Sequence, residues 1–403
     1  MEELNPNSIT PFIPGYLAKS SSSVSITKKI LSESIHEFHG DFEGKKIWAT
    51  NTGIDLDNSS TFDLLLCEPL DLLIFNTAAG VKIFDTKTGN FKYNLPNNIN
   101  VEDIISYGFQ KLDLETELGF SPVQPKNRTI FNSLSILEEN VNGRLEFYLI
   151  GVTNNTFFNR EAKQHNSWGH IILKMALSDL KIIQNIFFLE EFSDGLTIKV
   201  TPDNKFITTN NCEIIEVRYN CSLGEVNSFP LEICYDFVFM DNANLLIGMK
   251  PKGGIQIWDY LKGALVREIN INDNISTFDY NNKNGIVATL HHLDFNSSIK
   301  FYNVESGKFI EEFQSAHGEI YDRILFSHNG SYLLAEGDRI IHVFDTKSLK
   351  LIASYTEFIS KSEPYWRHSK LCMPGVGAIK SIFDDSDEYI YTIDCKGVIY
   401  KWK

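Results

Sequence analysis

Positive charge is scarce in this sequence. Its 37 Lys and Arg stand against 52 Asp and Glu, a formal net charge of −15. That balance repels a phosphate backbone at long range. No run of Lys and Arg forms a local patch against it, so direct nucleic-acid binding is not expected. Long apolar runs are also missing. None approaches the roughly 18 residues that span a bilayer, and membrane insertion is not expected. The six cysteines (Cys67, Cys212, Cys221, Cys234, Cys372 and Cys395) show no CxxC spacing, which argues against a zinc site or a disulfide framework. The opening Met1-Glu2-Glu3-Leu4-Asn5-Pro6 has neither the basic head nor the apolar centre of a secretory signal. The expected home is intracellular, nuclear or cytoplasmic.

Sustained 3.6-residue periodicity is almost absent, which excludes a helical fold. What is present is a succession of short alternating runs, rich in aromatic and β-branched residues and broken by Gly, Asn and Asp. That is the signature of strands and turns. Four segments share one form: β-branched residue, spacer, apolar residue, aromatic, then Asp or Asn. They are Val81-Lys82-Ile83-Phe84-Asp85, Ile255-Gln256-Ile257-Trp258-Asp259, Ile299-Lys300-Phe301-Tyr302-Asn303 and Ile341-His342-Val343-Phe344-Asp345. A weaker fifth copy, Val398-Ile399-Tyr400-Lys401-Trp402, ends the chain. Trp258 and Tyr302 are 44 residues apart, Tyr302 and Phe344 are 42 apart, and Phe84 precedes Trp258 by 174, about four units of 43. A period of this length, built from four short strands, belongs to a propeller blade.

From His317 to Asp345 the sequence resembles a WD40 repeat. The run Phe326-Ser327-His328-Asn329-Gly330-Ser331-Tyr332-Leu333-Leu334-Ala335, followed by Val343-Phe344-Asp345, carries the likeness. Fragments recur in Val200-Thr201-Pro202-Asp203-Asn204 and in Trp258-Asp259. No blade keeps the full hydrogen-bonded set of Trp, His, Asp and Ser that the family uses. The resemblance implies an all-β, seven-bladed WD40-like β-propeller. Blades are expected near 61–95, 127–190, 195–230, 232–272, 273–313, 318–357 and 379–403. The last would lack its outer strand, so residues 1–52 are expected to form an arm that closes the ring, through Val24–Ile35 or Lys45–Asn51. Residues 53–403 would form the propeller. By the same resemblance the chain is expected to be a non-catalytic scaffold, one subunit of a larger complex, whose partners are other proteins.

Three clusters stand out as candidate partner sites. The segment 98–127 interleaves Glu102, Asp103, Asp113, Glu115 and Glu117 with Leu112, Leu114, Leu118 and Phe120, and reads equally as a docking arm or a solvated insertion. A second insertion, 360–377, holds Tyr365, Trp366, Arg367 and His368. Tyr, Trp and Arg are the side chains most enriched at interface hot spots, so this loop is expected to bind a partner. Phe157 and Phe158, with His165 and Trp168, are expected in a loop, as a partner contact or a cap over a blade core. Catalytic patterns are missing: there is no Gly-x-Ser-x-Gly elbow, HExxH helix or Walker loop. His291-His292 with Asp294 has a metal-site composition, but neighbours on a strand face opposite ways. His317 and Asp338 read as remnants of the structural set. No catalytic residue, metal, cofactor or small-molecule substrate is expected. The rival classes are a hydrolase-like propeller enzyme using the central channel and a subunit that meets nucleic acid only through its partners.

Overall fold

The alternating runs pair into seven antiparallel sheets, six of four strands and one of five, arranged as a ring, in a computed structural model of the chain. The structure describes residues 45–52, 63–77, 80–94, 120–122, 131–159, 164–179, 181–190, 197–210, 214–230, 237–241, 244–250, 253–271, 273–293, 296–315, 320–337, 340–355, 365–367, 370–372, 378–394 and 397–403. The only helical element among them is a three-residue 3-10 turn, Glu68–Leu70. The fold is a seven-bladed β-propeller.

Blade 1 comprises Asp63–Cys67, Leu72–Thr77, Gly80–Asp85 and Phe91–Asn94. Blade 2 is longer, with Phe131–Val141, Arg144–Asn159, Gln164–Ala176 and Ile182–Glu190. Blade 3 runs from Thr197 to Pro230, blade 4 from Phe237 to Ile269, blade 5 from Thr277 to Gln314 and blade 6 from Tyr321 to Tyr355. In each, four strands follow one another outward from the axis, and first strands of successive blades neighbour each other at most joints around it. Blade 7 has only three consecutive strands, Ala378–Phe383, Ile390–Asp394 and Val398–Trp402. Its fourth is Lys46–Asn51 from the other end of the chain, antiparallel to Val398–Trp402. Of the two candidate closing strands, then, Lys45–Asn51 does the work; Val24–Ile35 lies outside the described residues.

The Asp or Asn of the repeated motif has a definite job. Asp85 Oδ1 accepts the Thr88 N–H at 2.9 Å and the Thr88 hydroxyl at 2.9 Å. Asp259, Asn303 and Asp345 accept bonds two or three residues on in the same way. Each is an Asx-type cap that folds the third strand back into the outer one. The N–H donors at this turn hold the Asp85 carboxyl down to about 2.

The outer strand bulges at one repeat position in all seven blades. The extra residues are Ile47, Lys92, Ile183, Val226, Val266, Ile310 and Ile352. Bulges twist an edge away from a would-be pairing strand. They also explain why Ile47, Ile183, Val266 and Ile310 are about half exposed. These apolar side chains follow from the strand geometry and do not by themselves mark a docking patch.

The core is a chain of apolar clusters lying between blades. One joins blades 3, 4 and 5 through Phe229, Tyr260, Phe278 and Tyr302; another joins blades 6 and 7 through Val343, Tyr355, Tyr400 and Trp402. Trp258, the aromatic of the clearest motif, is only partly buried. It stacks on Phe229 of blade 3 at 5.2 Å between ring centroids. It belongs to the joint between blades, at the rim of the core.

Candidate interaction surface

Topology divides the connections between two faces. Because the strands of each blade alternate in direction, the links from first to second strand and from third to fourth open on one face. Links from second to third strand, and from one blade to the next, open on the other. On the first face every connection within a blade is short, six residues or fewer. Both large insertions, between Asn94 and Phe131 and between Tyr355 and Ala378, leave from the second face. The extended second and third strands of blade 2 meet there too. Every connection within a blade on one face is a tight turn, both large insertions between blades leave from the other, and the chain enters the closing strand at Lys46 on the turn face.

The turn face and the channel are laced by polar bonds across every joint. From blade 2 to blade 1, the Leu134 N–H donates to Asp63 Oδ2 at 2.8 Å. The Glu138 N–H donates to Asn204 Oδ1 at 3.2 Å, joining blades 2 and 3. Lys199 donates to the Phe237 carbonyl, joining 3 and 4. The Asp241 N–H donates to Asn282 Oδ1 at 2.7 Å, joining 4 and 5. Asn281 donates to the Gly330 carbonyl at 2.7 Å, joining 5 and 6. Asp387 accepts the His328 and Asn329 N–H groups at 2.9 and 2.7 Å, joining 6 and 7. Finally Lys380 Nζ lies 3.1 Å from Asp63 Oδ1, joining 7 and 1. Such bonds satisfy groups that the packed joints would otherwise strand.

The charged groups of the channel have structural partners. The Arg323 guanidinium donates to the Ser381 carbonyl at 3.0 Å and to Glu336 Oε1 at 3.3 Å. Glu336 is fully buried, and burial pushes its carboxyl up. Asp279 Oδ2 accepts the Phe326 N–H at 2.6 Å; its burial in the channel pushes the carboxyl up to about 6. His342 accepts or donates with the Tyr321 hydroxyl at 2.6 Å and is pushed down to about 4 by burial. His291 is buried on Thr289 and the Asn274 carbonyl, whereas His292 is exposed and meets Ser276 at 2.7 Å. The two rings therefore face opposite ways, as their strand spacing requires. Among the described residues no three His, Cys, Asp or Glu side chains group as metal ligands. Asp294, His317 and Asp338 lie outside the described residues.

The partner-site candidates fall on the insertion face. Tyr365–Arg367 is a strand that pairs with Lys370–Cys372, with Trp366 opposite Leu371. The expected loop is thus, at its centre, a short hairpin; His368 lies outside the described residues. Phe157 and Phe158 need a correction. They are not in a loop but in the second strand of blade 2, which runs to Asn159 and pairs with the third strand as far as Gln164. Asn-rich sequence hid that strand, because Asn154, Asn155 and Asn159 read as breakers. The same segment pairs with Phe120–Pro122, Phe158 lying opposite Ser121. The structure therefore joins two of the three candidate clusters, the first insertion and the Phe157-Phe158 pair, in one sheet. Residues 98–119 and 123–127 of that insertion lie outside the described residues.

Trp402, on the third strand of blade 7, donates its ring N–H to the Thr392 hydroxyl at 2.8 Å. In blade 4 the Trp258 ring N–H donates instead to Gln256 at 3.3 Å.

The architecture defines a seven-bladed propeller with one decorated face and one laced face. No family model matches the chain. Over 212 residues, 51% of this chain, it is 20% identical to autophagy-related protein 16 of Arabidopsis thaliana. That match covers 38% of the plant protein, so the chain corresponds to well under two thirds of its length. No helix among the described residues is long and apolar enough to cross a membrane.

Proposed function

We propose that this chain is a non-catalytic interaction scaffold of the WD40 kind, a subunit that presents the insertion face of its ring to other proteins. One observation carries the reading. Connections on the turn face are cut to the minimum, while insertions with aromatic and Arg residues leave from the opposite face. A propeller needs no such insertions to close. Chain added repeatedly to one face, with hot-spot residue types in it, fits recognition better than stability. The described channel cations fit the same view, since Arg323 reaches the Ser381 carbonyl of blade 7 and Lys380 reaches Asp63 of blade 1. Trp402 on Thr392 and the Asx-capped turns support the WD40 assignment. The likeness to an autophagy-related protein makes autophagy the first process in which to seek partners.

Replacing Trp366 and Arg367 together by Ala should weaken complex formation by about 2 kcal/mol or more, roughly thirtyfold in affinity. The melting temperature of the isolated chain should hardly change, because the hairpin lies outside all seven blades. Pull-down yield and thermal melting of the one double variant decide it. Full binding, or a melt lowered as far as that of a core variant, would return the hairpin to a purely structural role.

A further inference from the structure

Blade 2 differs from the other six at its outer edge. Its fourth strand, Ile182–Glu190, has nine residues, whereas the other outer strands have four to six. Beyond the bulge that every outer strand carries, the others stay in register for two to four residues. The strand of blade 2 stays in register for seven, from Gln184 opposite Lys174 to Glu190 opposite Trp168. Its other side is an edge of the sheet, and among the described residues no strand pairs there. This straight stretch is the part of the strand that runs toward the insertion face.

Sheet edges are usually protected by a bulge, a Pro or a charged side chain, each of which discourages a further strand from pairing. Pro230, Arg267, Glu268, Glu311 and Glu312 lie beyond the bulges of blades 3, 4 and 5. The residues between Lys181 and Glu190 are Ile182-Ile183-Gln184-Asn185-Ile186-Phe187-Phe188-Leu189, without a charge or a Pro. An uncharged run of this length, rich in β-branched and aromatic residues, is the kind that adds a strand.

We propose that this edge pairs, antiparallel, with the same edge of a second copy of the chain, so that the second blades of two rings form one continuous sheet. Charge selects this occupant. Lys181 stands at one end of the uncharged run and Glu190 at the other. A parallel copy would set like ends side by side, whereas an antiparallel copy brings the acidic end of each strand to the basic end of the other. The straight stretch is also self-complementary in length. With Phe187 opposite itself on the two-fold axis, Ile186 meets Phe188, Asn185 meets Leu189 and Gln184 meets Glu190, so all seven residues pair and no like charges face each other. Pairing uses up the edge of both copies, and the assembly closes as a dimer. The proposal stands apart from partner docking at the Tyr365–Arg367 hairpin.

Sedimentation velocity of the full chain tests it, in about 0.15 M salt, where the net charge of −15 on each copy is screened beyond about 8 Å. Across micromolar concentrations the natural chain should show a reversible monomer–dimer equilibrium. Phe187→Lys and Phe187→Glu each set like charges opposite one another on the axis, and each should weaken self-association about tenfold or more. An equimolar mixture of the two variants should associate again. Hydrogen exchange of the natural chain, dilute and concentrated, keeps the test open if the variants fold poorly. Protection gained on concentration should fall within Gln184–Glu190. A monomer at every concentration would overturn the proposal and leave the edge to a strand of another protein. A dimer that both variants leave intact, a mixture that stays monomeric, or gained protection confined to other segments would overturn it too.

Discussion

Removing residues 1–52 will open the ring. The strand Lys46–Asn51 is bonded to Val398–Trp402 along its length, and the two chain ends are clasped by Lys45 N–H to the Lys403 carbonyl and Lys403 N–H to the Lys45 carbonyl. Its side chains also fasten blade 7 to blade 1. Trp48 packs on the apolar cluster that contains Leu73 and Phe84 of blade 1, and the Thr50 hydroxyl donates to the Gly89 carbonyl at 2.7 Å. Lys82 of blade 1 donates to the Thr52 carbonyl. Gly89 has φ +73°, and a Cβ there would come within 2.8 Å of Trp48 and Thr50, so the turn and the closing strand are fitted to each other. Loss of several backbone bonds and of the Trp48 contact should cost on the order of 5 kcal/mol. A shorter truncation, residues 1–44, keeps the strand and serves as the control. Thermal melting of the two truncations should differ by many degrees. Equal melting would mean that the closing strand contributes little.

Trp402→Ala should be nearly as damaging, at about 3–5 kcal/mol, the range for large buried aromatics. Trp402 is 1% exposed, stacks on Tyr400 at 5.2 Å and lies 5.1 Å from Tyr355 of blade 6. It is opposite Lys46 of the closing strand, so its cavity would sit under the closure itself. Trp402→Phe keeps most of the volume but loses the bond to Thr392. That variant should recover most of the stability, leaving a deficit of about 1 kcal/mol. Denaturant unfolding of both variants separates packing from the hydrogen bond. If Trp402→Phe were as unstable as Trp402→Ala, the hydrogen bond would outweigh the packing.

How much of this the sequence announces depends on the range of the interaction. The third strands are legible because their aromatics recur at the blade period, and the Asp or Asn after each aromatic shows where the chain turns. The last copy, Val398-Ile399-Tyr400-Lys401-Trp402, marks the third strand of blade 7 in the same way. Blade 2 is less legible. Its second strand passes through Asn154, Asn155 and Asn159, residues that normally interrupt strands, and pairing with Gln164–Ala176 and, at its end, with Phe120–Pro122 holds them extended. Trp258 carries the right motif yet stands half-buried, because exposure depends on how closely blade 3 approaches. The lacing of the joints gives no sequence signal. Asp63 and Lys380 are 317 residues apart, and neither lies in a recognisable motif. For the partner sites, residue type pointed to Tyr365, Trp366 and Arg367. Their common face with Phe157 and Phe158 emerges only from strand order.

Partners of this ring should dock on the insertion face. Cross-linking mass spectrometry of the complex isolated from its native cell tests this directly through lysines. Links to a partner should come from Lys111, Lys126, Lys163, Lys361 and Lys370, which belong to the insertions and to the end of the blade 2 ribbon. Links concentrated instead on Lys87, Lys205, Lys262, Lys308 and Lys347, which lie in the tight turns, would contradict it.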